Sequence, residues 1–548
     1  MSASSKKKLR HQQNAAKMTD RQLAEQKEAK KIKHMTIGFT SVLALILVVA
    51  LVFSVTQFIS NSGIREKNTI AAVVGGNELS NAQLNYYYVD AVNEFLNTYG
   101  AYASMFGLDL TKPLNEQVVN EETGATWADD FVTSALSNAQ SIYALVNEAN
   151  ANGYALSEDE LASLDNSVAQ LEISALMAGY GSAEDYIKAV YGHGASLESF
   201  REYTENNRLA QSYYNHYANS LTYDDAALRA GEKDKEAEFT NYSYNYYYLN
   251  TSKFLEGGTT DENGNTTYTD EERAAAAKAA EAAAKELAEA EIASVEDLNA
   301  AIAALEVNAD AETAPTSTAC EDYAYANVTA AAREWITDPA RKSGEVGYVE
   351  NASTTTAEDG TETKTVNGYY VVYFIGSNDN NYPLANVRQI LIQPQGGSYD
   401  ANTGITTYTA DELAAAKNEA QQLLDQWKAG KATEETFIAM AQEHNDDPGS
   451  KASNGLYEDI YPGQMVANFN DWCFDESRKT GDTGLVESDY GCHIMFYVSD
   501  SETLYRDFLI ENSLRSADTS AWYEALIEAT EATEMDTKYL SLDLVLSR

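Results

Sequence analysis

The fold is decided by one stretch, residues 444–498, which reads HNDDPGSKASNGLYEDIYPGQMVANFNDWCFDESRKTGDTGLVESDYGCHIMFYV. Its DDPGS segment (446–450) is typical of a turn, and the apolar HIMFYV segment (493–498) is typical of a buried strand. Between them lie a short helical pattern and a second turn, Gly481–Gly484. This alternation predicts an α+β domain.

Part of this stretch occurs twice in the chain. Trp472 opens WCFDESRKTGDTGLVE, and Trp335 opens the similar WITDPARKSGEVGYVE. The tetrad TTYT also occurs twice, at 266–269 and 406–409, each time before a helical pattern. Because these matches come in the same order, we interpret them as an internal duplication.

We place the first copy at residues 239–380 and the second copy at 384–502. Each is predicted to contain a strand, a long helix, shorter helices and a closing strand. In the second copy the helix spans Asp411 to Lys428, and in the first an Ala-rich helix spans 273–306. The loops at 256–268 and 351–366 read as hairpin or loop material.

The second copy resembles the parvulin family of peptidyl-prolyl isomerases. The matching pieces are VRQIL (387–391), DDPGS (446–450), GQMVANF (463–469), the Gly-Asp-x-Gly turn (481–484) and YGCHI (490–494). The order of the whole chain also resembles membrane-anchored, extracytoplasmic foldases of the PrsA, SurA and PpiD kind. We therefore expect two tandem parvulin-like domains, the first degenerate.

The resemblance implies which residues form the site. It also implies a reaction that needs neither a cofactor nor a metal. Met465 and Phe469 would line the proline pocket, and Asp447 would occupy the family's Cys-or-Asp position beside the substrate carbonyl. His493 would be the second of two histidines that set the state of that group. This chain has Gln389 where the family has the first histidine, and glutamine cannot change charge.

The same residues have plainer interpretations outside the family. His493 could be a strand histidine satisfied by a neighbour, and Asp447 could belong only to a turn. Met465 and Phe469, four residues apart on a short helix, could be core. The segment LYED (456–459) also departs from the family's usual Asp-Leu-Gly-aromatic sequence, which alters the pocket rim.

The first copy lacks the site. Tyr370 stands where the second copy has His493, and the constant offset of the Trp repeat places Val328 and Ala332 at the positions of Met465 and Phe469. No DDPGS or GQM segment precedes them. We expect the first copy to serve as a spacer or as a client-binding module.

The N-terminal part is distinct in charge. The chain has a net charge of −46 and its first 34 residues carry +7, which leaves −53 for the remainder. Residues 35–64 carry no charged side chain, and this uncharged run is long enough to form a helix that crosses a bilayer. The positive-inside rule then predicts a cytoplasmic segment (1–34), a single-pass signal anchor (35–64) and an extracytoplasmic body, with a bacterial envelope the best fit. A cleaved signal peptide is the weaker alternative.

Helical patterns flank the repeats. Residues 66–237 are predicted to form a helical, chaperone-like domain after a short strand and turn, with Ser80, Ser157 and Ser182 as N-caps. The tail, residues 503–548, reads as helices that pack back on this domain. Clustered tyrosines between 80 and 235 favour core packing or the binding of unfolded clients.

The composition excludes some functions. A strongly acidic body argues against nucleic acid, whose phosphates require Lys and Arg. Three cysteines are too few for a disulfide framework, and free thiols are favoured over a Cys473–Cys492 bridge. The favoured function is an isomerase and chaperone for exported proteins with Xaa–Pro bonds. The alternatives are a non-catalytic holdase on an inactive parvulin scaffold and an adhesive surface protein.

Overall fold

The computed structural model describes residues 4–8, 27, 30, 45–52, 54, 62–262, 264–357, 359–400, 405–543 and 545. The predicted anchor, residues 35–64, lies for the most part outside these residues. Within the described ranges, no helix combines the length and the apolar composition that crossing a membrane would require.

The chain divides into two compact units, Met1–Leu221 with Asp518–Arg548, and Thr222–Ala517. The first unit contains a small antiparallel sheet and long helices. Its elements are α1 (Ile64–Asn68), β1 (Ile70–Val74), β2 (Asn77–Ser80), α2 (Asn81–Tyr99), β3 (Val118–Asn120), β4 (Ala125–Thr126), α3 (Trp127–Ala151), α4 (Glu158–Met177), α5 (Ala183–Tyr191), α6 (Leu197–Ser220) and β17 (Ala532–Glu534).

The predicted N-caps of the first unit are confirmed. The Ser80 and Ser157 side chains accept a hydrogen bond from the third residue of their helices, which in each case bonds back to form a capping box, and Ser182 caps α5. Tyr86, Tyr87 and Tyr88 of α2 are core residues: Tyr86 is fully buried and stacks on Tyr203, with ring centroids 4.9 Å apart.

The second unit contains two four-stranded antiparallel sheets with helices. Its elements up to the second sheet are α7 (Asp225–Glu232), β5 (Asn241–Asn250), β6 (Thr259–Thr260), β7 (Thr266–Thr267), α8 (Asp270–Glu289), α9 (Val295–Ala304), β8 (Thr318–Ala324), α10 (Arg333–Ile336), β9 (Val346–Thr356) and β10 (Glu362–Asn378). The remaining elements are β11 (Pro383–Ile392), β12 (Ser398–Asp400), β13 (Ile405–Thr407), α11 (Ala410–Ala429), α12 (Glu434–His444), β14 (Leu456–Ile460), α13 (Ala467–Cys473), β15 (Thr483–Ser488) and β16 (Gly491–Leu504). A last helix, α14 (Tyr505–Glu528), begins in the second unit and ends in the first.

The two sheets have the same topology. The strand order is β8-β5-β10-β9 in the first and β14-β11-β16-β15 in the second, and every pairing is antiparallel. The opening strand of each sheet (β5, β11) lies beside the closing strand (β10, β16). The order of strands and helices along the chain is also the same in both.

The residues that the repeats share are explained by local packing. The guanidinium of Arg341 lies 3.7 Å from the centroid of the Trp335 ring, and that of Arg478 lies 4.0 Å from the centroid of Trp472. Each arginine Nε also donates to the carbonyl of its tryptophan at 3.0 Å. A Cβ on Gly484 would lie 2.6 Å from the Trp472 indole nitrogen, and the matching glycine of the first copy is equally close to its indole.

The TTYT tetrad is likewise a local structural device. Its last threonine, Thr269 or Thr409, is the N-cap of the long helix and forms a capping box with Glu272 or Glu412. The glutamate also accepts a backbone hydrogen bond from the hairpin that precedes the helix. The tetrad therefore joins a hairpin to a helix start in both copies.

Two expectations need correction, one on the Ala-rich segment and one on the tail. The Ala-rich segment 273–306 is two helices, α8 and α9, because Ser294 caps a new helix after a break. The region 351–366, predicted as hairpin or loop, does lie in a hairpin, the long one formed by β9 and β10. The tail has one helix, α14, followed by β17, which pairs with β1, and its last apolar run is not helical in its described residues. The three cysteines are buried free thiols, as favoured.

Candidate active site of the second copy

Two neighbouring strands carry the centre of the site. β11 and β16 pair so that Gln389 lies opposite Met495 and His493 lies opposite Leu391. Residues two apart on neighbouring strands share a face, so Gln389 and His493 point to the same side of the sheet. Both side chains are buried, with 1% of Gln389 and 7% of His493 exposed.

The hydrogen bonds between these residues have a fixed direction. The carboxylate of Asp447 only accepts, so the amide Nε2 of Gln389, 2.6 Å from its Oδ2, is the donor. The amide Oε1 then faces His493 Nδ1 at 3.0 Å, and an amide oxygen only accepts. His493 therefore carries its proton on Nδ1.

The other ring nitrogen of His493 follows from this tautomer. Its Nε2 lies 2.7 Å from the Ser488 hydroxyl, which must donate to it. Burial lowers the pKa of His493 to about 4, against the opposing attraction of Asp447. The imidazole is thus neutral at neutral pH. Ser488 donates to His493, His493 donates to Gln389, and Gln389 donates to the Asp447 carboxylate.

Asp447 is held by neutral donors. Burial alone would raise the pKa of its carboxyl, but hydrogen bonds outweigh burial and the pKa lies below its usual range. The donors are Ser450 Oγ at 2.5 Å, Tyr457 OH at 2.9 Å, Gln389 Nε2 at 2.6 Å and the Gly449 amide at 3.0 Å. Asp447 is therefore an ionised, oriented carboxylate at neutral pH.

A buried polar pair supports the carboxylate from below. The Asn445 amide Nδ2 donates to Ser450 Oγ at 3.1 Å, and its Oδ1 accepts from the Asp447 and Leu391 amides. Ser450 and Asn445 are fully or almost fully buried. This pair ties the turn that carries Asp447 to β11.

An apolar cluster adjoins the polar centre. Phe469 on α13 is buried, and its ring meets the His493 ring edge-to-face with centroids 5.4 Å apart. Met465 is half-buried and packs against the same cluster, together with Cys473 and Tyr457. The site therefore combines apolar walls with a buried polar floor, which suits the binding of an apolar ring beside a polar group.

The structure brings together all five residues that the sequence singled out. Gln389, Asp447 and His493 form one hydrogen-bonded chain, and Phe469 and Met465 belong to the apolar cluster beside it. Their roles toward a substrate remain a prediction.

Sequence reasoning assigned no role to four further residues: Asn445, Ser450, Tyr457 and Ser488. Ser450 lies inside the DDPGS segment that carries the family resemblance, and Tyr457 lies inside the LYED segment that departs from it. Their contacts cross up to 61 residues of chain, and no local pattern predicts such pairings.

The second copy also matches known proteins in sequence. Residues 369–501 match the family model described as the PPIC-type PPIASE domain. The second copy is a parvulin-type domain. The match begins within β10, earlier than the predicted start of the second copy at 384.

A curated relative matches a segment of about the same length as the one that the family model matches. Foldase protein PrsA 1 of Listeria innocua is 26% identical over 117 residues, which is 21% of this chain and 37% of the relative. The chain thus spans a little over a third of that relative's length. The likeness is therefore to part of a foldase.

Solved structures of similar proteins include PrsA from Bacillus anthracis, at 19% identity, with 28% of this chain and 59% of that chain covered and a TM-score of 0.18. A structure from work on the Campylobacter jejuni proteins PEB4 and Cj1289, described as SurA-like chaperones, is 19% identical. The match covers 28% of this chain and 56% of that chain, with a TM-score of 0.16.

Proposed function

We propose that the chain is a peptidyl-prolyl isomerase and chaperone that acts on exported proteins. The observation that carries the isomerase is the ionised Asp447, hydrogen-bonded to the buried Gln389 and His493 and adjoining the apolar cluster of Phe469 and Met465. Rotation of an Xaa–Pro bond breaks no covalent bond, so such a site needs no nucleophile.

The proposed mechanism is differential binding of the twisted amide. Met465 and Phe469 hold the proline ring and exclude water, while the polar floor lies beside the Xaa–Pro carbonyl. Twisting removes amide conjugation and leaves the carbonyl carbon more positive. The fixed charge of Asp447 favours that state, because an oriented carboxylate needs no reorganisation when the bond turns.

The chaperone role is supported by an exposed aromatic patch in the first unit. Tyr99, Tyr102, Met105 and Phe106 are all exposed, and the rings of Tyr99 and Phe106 lie 5.4 Å apart. An adjoining cleft of about 560 Å³ is lined by Phe95 and Phe131, with the carboxylates of Glu94 and Asp130. Exposed apolar groups beside acidic ones suit unfolded segments that carry apolar and basic residues.

The domain plan follows the same proposal. The first copy would be a degenerate parvulin-like domain without the pocket, and residues 66–237 with the tail 503–548 would form the chaperone part. Residues 35–64 would anchor the chain in the membrane, with residues 1–34 in the cytoplasm and the body in a bacterial envelope. The uncharged run and its basic flank support this orientation.

A second candidate is a holdase without isomerase activity. Gln389 favours it, because a glutamine replaces an imidazole that the parvulin resemblance leads one to expect. In that case the aromatic patch would bind clients while the second copy served only as scaffold.

A prolyl isomerisation assay on the full-length chain, with short Xaa–Pro peptides, separates the two candidates. We expect the wild-type chain to isomerise the peptides faster than the spontaneous rate. Asp447→Ala and Phe469→Ala should each lower the rate to near the spontaneous value. Equal rates for all three proteins and for buffer alone would favour the holdase.

A further inference from the structure

Tyr457 connects the two halves of the second copy's site. Its hydroxyl donates to Asp447 Oδ2 at 2.9 Å, and its ring packs in the apolar cluster that holds Phe469 and Met465. Burial and, after it, the hydrogen bond to Asp447 raise the pKa of Tyr457 to about 12, so the phenol stays a donor at neutral pH. A single side chain thus contacts both the charge and the pocket wall.

The backbone around Tyr457 is built for this contact. Tyr457 lies on the edge strand β14 opposite Val387. Close by, the backbone N–H of Gln389 donates to the Gly455 carbonyl at 2.8 Å. Gly455 has φ +79°, and a Cβ there would lie 2.2 Å from the backbone carbonyl oxygen of Gln389, so only glycine fits. The strand is thereby held against position 389.

The turn that carries Asp447 leaves room for the phenol. A Cβ on Gly449 would lie 2.7 Å from the Tyr457 hydroxyl oxygen. The absence of that Cβ lets the hydroxyl reach the carboxylate while the Gly449 amide binds the other carboxylate oxygen.

The electrostatic surroundings make this donor important. The titratable groups facing Asp447 are His493 on β16, which is neutral, Tyr457 on β14, and the adjacent Asp446, whose carboxylate accepts from the Gln393 amide. No described Lys or Arg forms an ion pair with Asp447. The carboxylate therefore depends on neutral hydrogen bonds alone, and Tyr457 supplies one of them.

We propose that Tyr457 is a positioning residue of this site, which fixes the Asp447 carboxylate in place of the imidazole that is missing at position 389. The inference rests on the proposed isomerase function. Tyr457 acts through Asp447, while its ring completes the wall of the proline pocket. Tyr457 lies in the segment LYED that departs from the family pattern, and its hydroxyl adds a donor to the carboxylate that Gln389 also contacts.

The test compares Tyr457→Phe with Tyr497→Phe in the full-length chain. Both remove one phenol that donates to an aspartate, because Tyr497 binds Asp500 at 2.7 Å in the same copy, and both keep the ring. We expect Tyr457→Phe to lower kcat roughly fivefold to tenfold, with KM within about twofold. Tyr497→Phe should change neither.

Two pH measurements distinguish positioning from packing. Losing a donor raises the pKa of Asp447, so the acid limb of the pH–rate profile should move to higher pH in Tyr457→Phe only. The Asp447 carboxyl titration, followed by carbon NMR, should move in the same direction. An unchanged kcat with an unchanged titration would overturn the inference.

The titration also separates this inference from the proposed function. If the wild-type chain shows no isomerase activity, the proposed function fails. The Asp447 titration would then still decide whether Tyr457 fixes the carboxylate, because a shift upholds that link and its absence overturns it.

Discussion

The two copies in the second unit share a fold and differ in their chemistry. Strand order, the Trp–Arg stack and the capped long helix are the same in both. At the positions of Gln389 and His493, the registers of the first copy place Tyr246 and Tyr370, whose ring centroids lie 5.5 Å apart. The comparison thus separates packing features common to both sheets from the residues of the candidate site, which only the second copy has.

The first copy fills its sheet face with aromatic packing. Tyr370 contacts both Tyr246 and Tyr248, and Ala332 stands at the position of Phe469. The described hydrogen bonds place no carboxylate on this aromatic face, in contrast to the half-buried Asp447 of the second copy. A polar floor with an apolar wall therefore distinguishes the second copy, and the following predictions test that difference.

The largest effect is expected when the second copy receives the first copy's residues. Gln389→Tyr combined with His493→Tyr removes the hydrogen bonds that reach Asp447 through position 389. We expect isomerisation to fall to the spontaneous rate in the peptide assay. Tyr497→Phe is the matched control, because it also installs the first copy's residue, Phe374, and should change activity less than about twofold. Substantial activity in the double variant would contradict the comparison.

The shared stack should matter equally in both copies. Trp335→Ala and Trp472→Ala each remove a half-buried indole and its arginine contact, so each should lower the free energy of unfolding by about 2–4 kcal/mol. Chemical denaturation followed by circular dichroism measures the loss. Tyr399→Ala, at a largely exposed ring, should cost little. A loss confined to one copy would show that the stack is not a common folding feature.

The second copy should lose stability in acid through His493. Below pH about 6.5 the unfolded chain binds a proton at this histidine, whereas the folded chain does not until about pH 4. Stability therefore falls as pH drops through this window, by up to about 3 kcal/mol. His493→Gln should remove that part of the pH dependence of unfolding, and His444→Gln, at a histidine outside the site, should not. Identical pH dependence in His493→Gln and the wild type would rule out this origin.

The smallest effect is expected from Gln389→His. The new imidazole would adjoin Asp447 and could take up a proton, which glutamine cannot. We expect a change in kcat/KM of less than about tenfold at pH 8, with a new pH dependence between about 5 and 8. A larger rise would mark position 389 as the defect that limits the wild-type site.

Much of the fold was predictable because the second copy's patterns are local. The helix predicted at Asp411–Lys428 is Ala410–Ala429, and the closing strand and N-caps were also found. The break between α8 and α9 was missed because alanine favours helix throughout 273–306 and hides the Ser294 cap.

The site was predictable only in part, for a physical reason. Asp447 and His493 belong to recognisable segments, so their positions could be carried over from the parvulin pattern. Tyr457 and Ser450 act through side-chain contacts that depend on how β14 and the 446–450 turn lie against β11. Such contacts depend on three-dimensional packing and leave no periodic signal in the sequence.

The central claim is that a fixed charge at Asp447 drives isomerisation in the second copy. It is tested most directly by exchange NMR on an Xaa–Pro peptide with the full-length chain, wild type against Asp447→Asn. Asparagine keeps the size of the side chain and removes its charge. The account predicts cis–trans exchange peaks with the wild type and their loss with Asp447→Asn. Equal exchange with both proteins would contradict it.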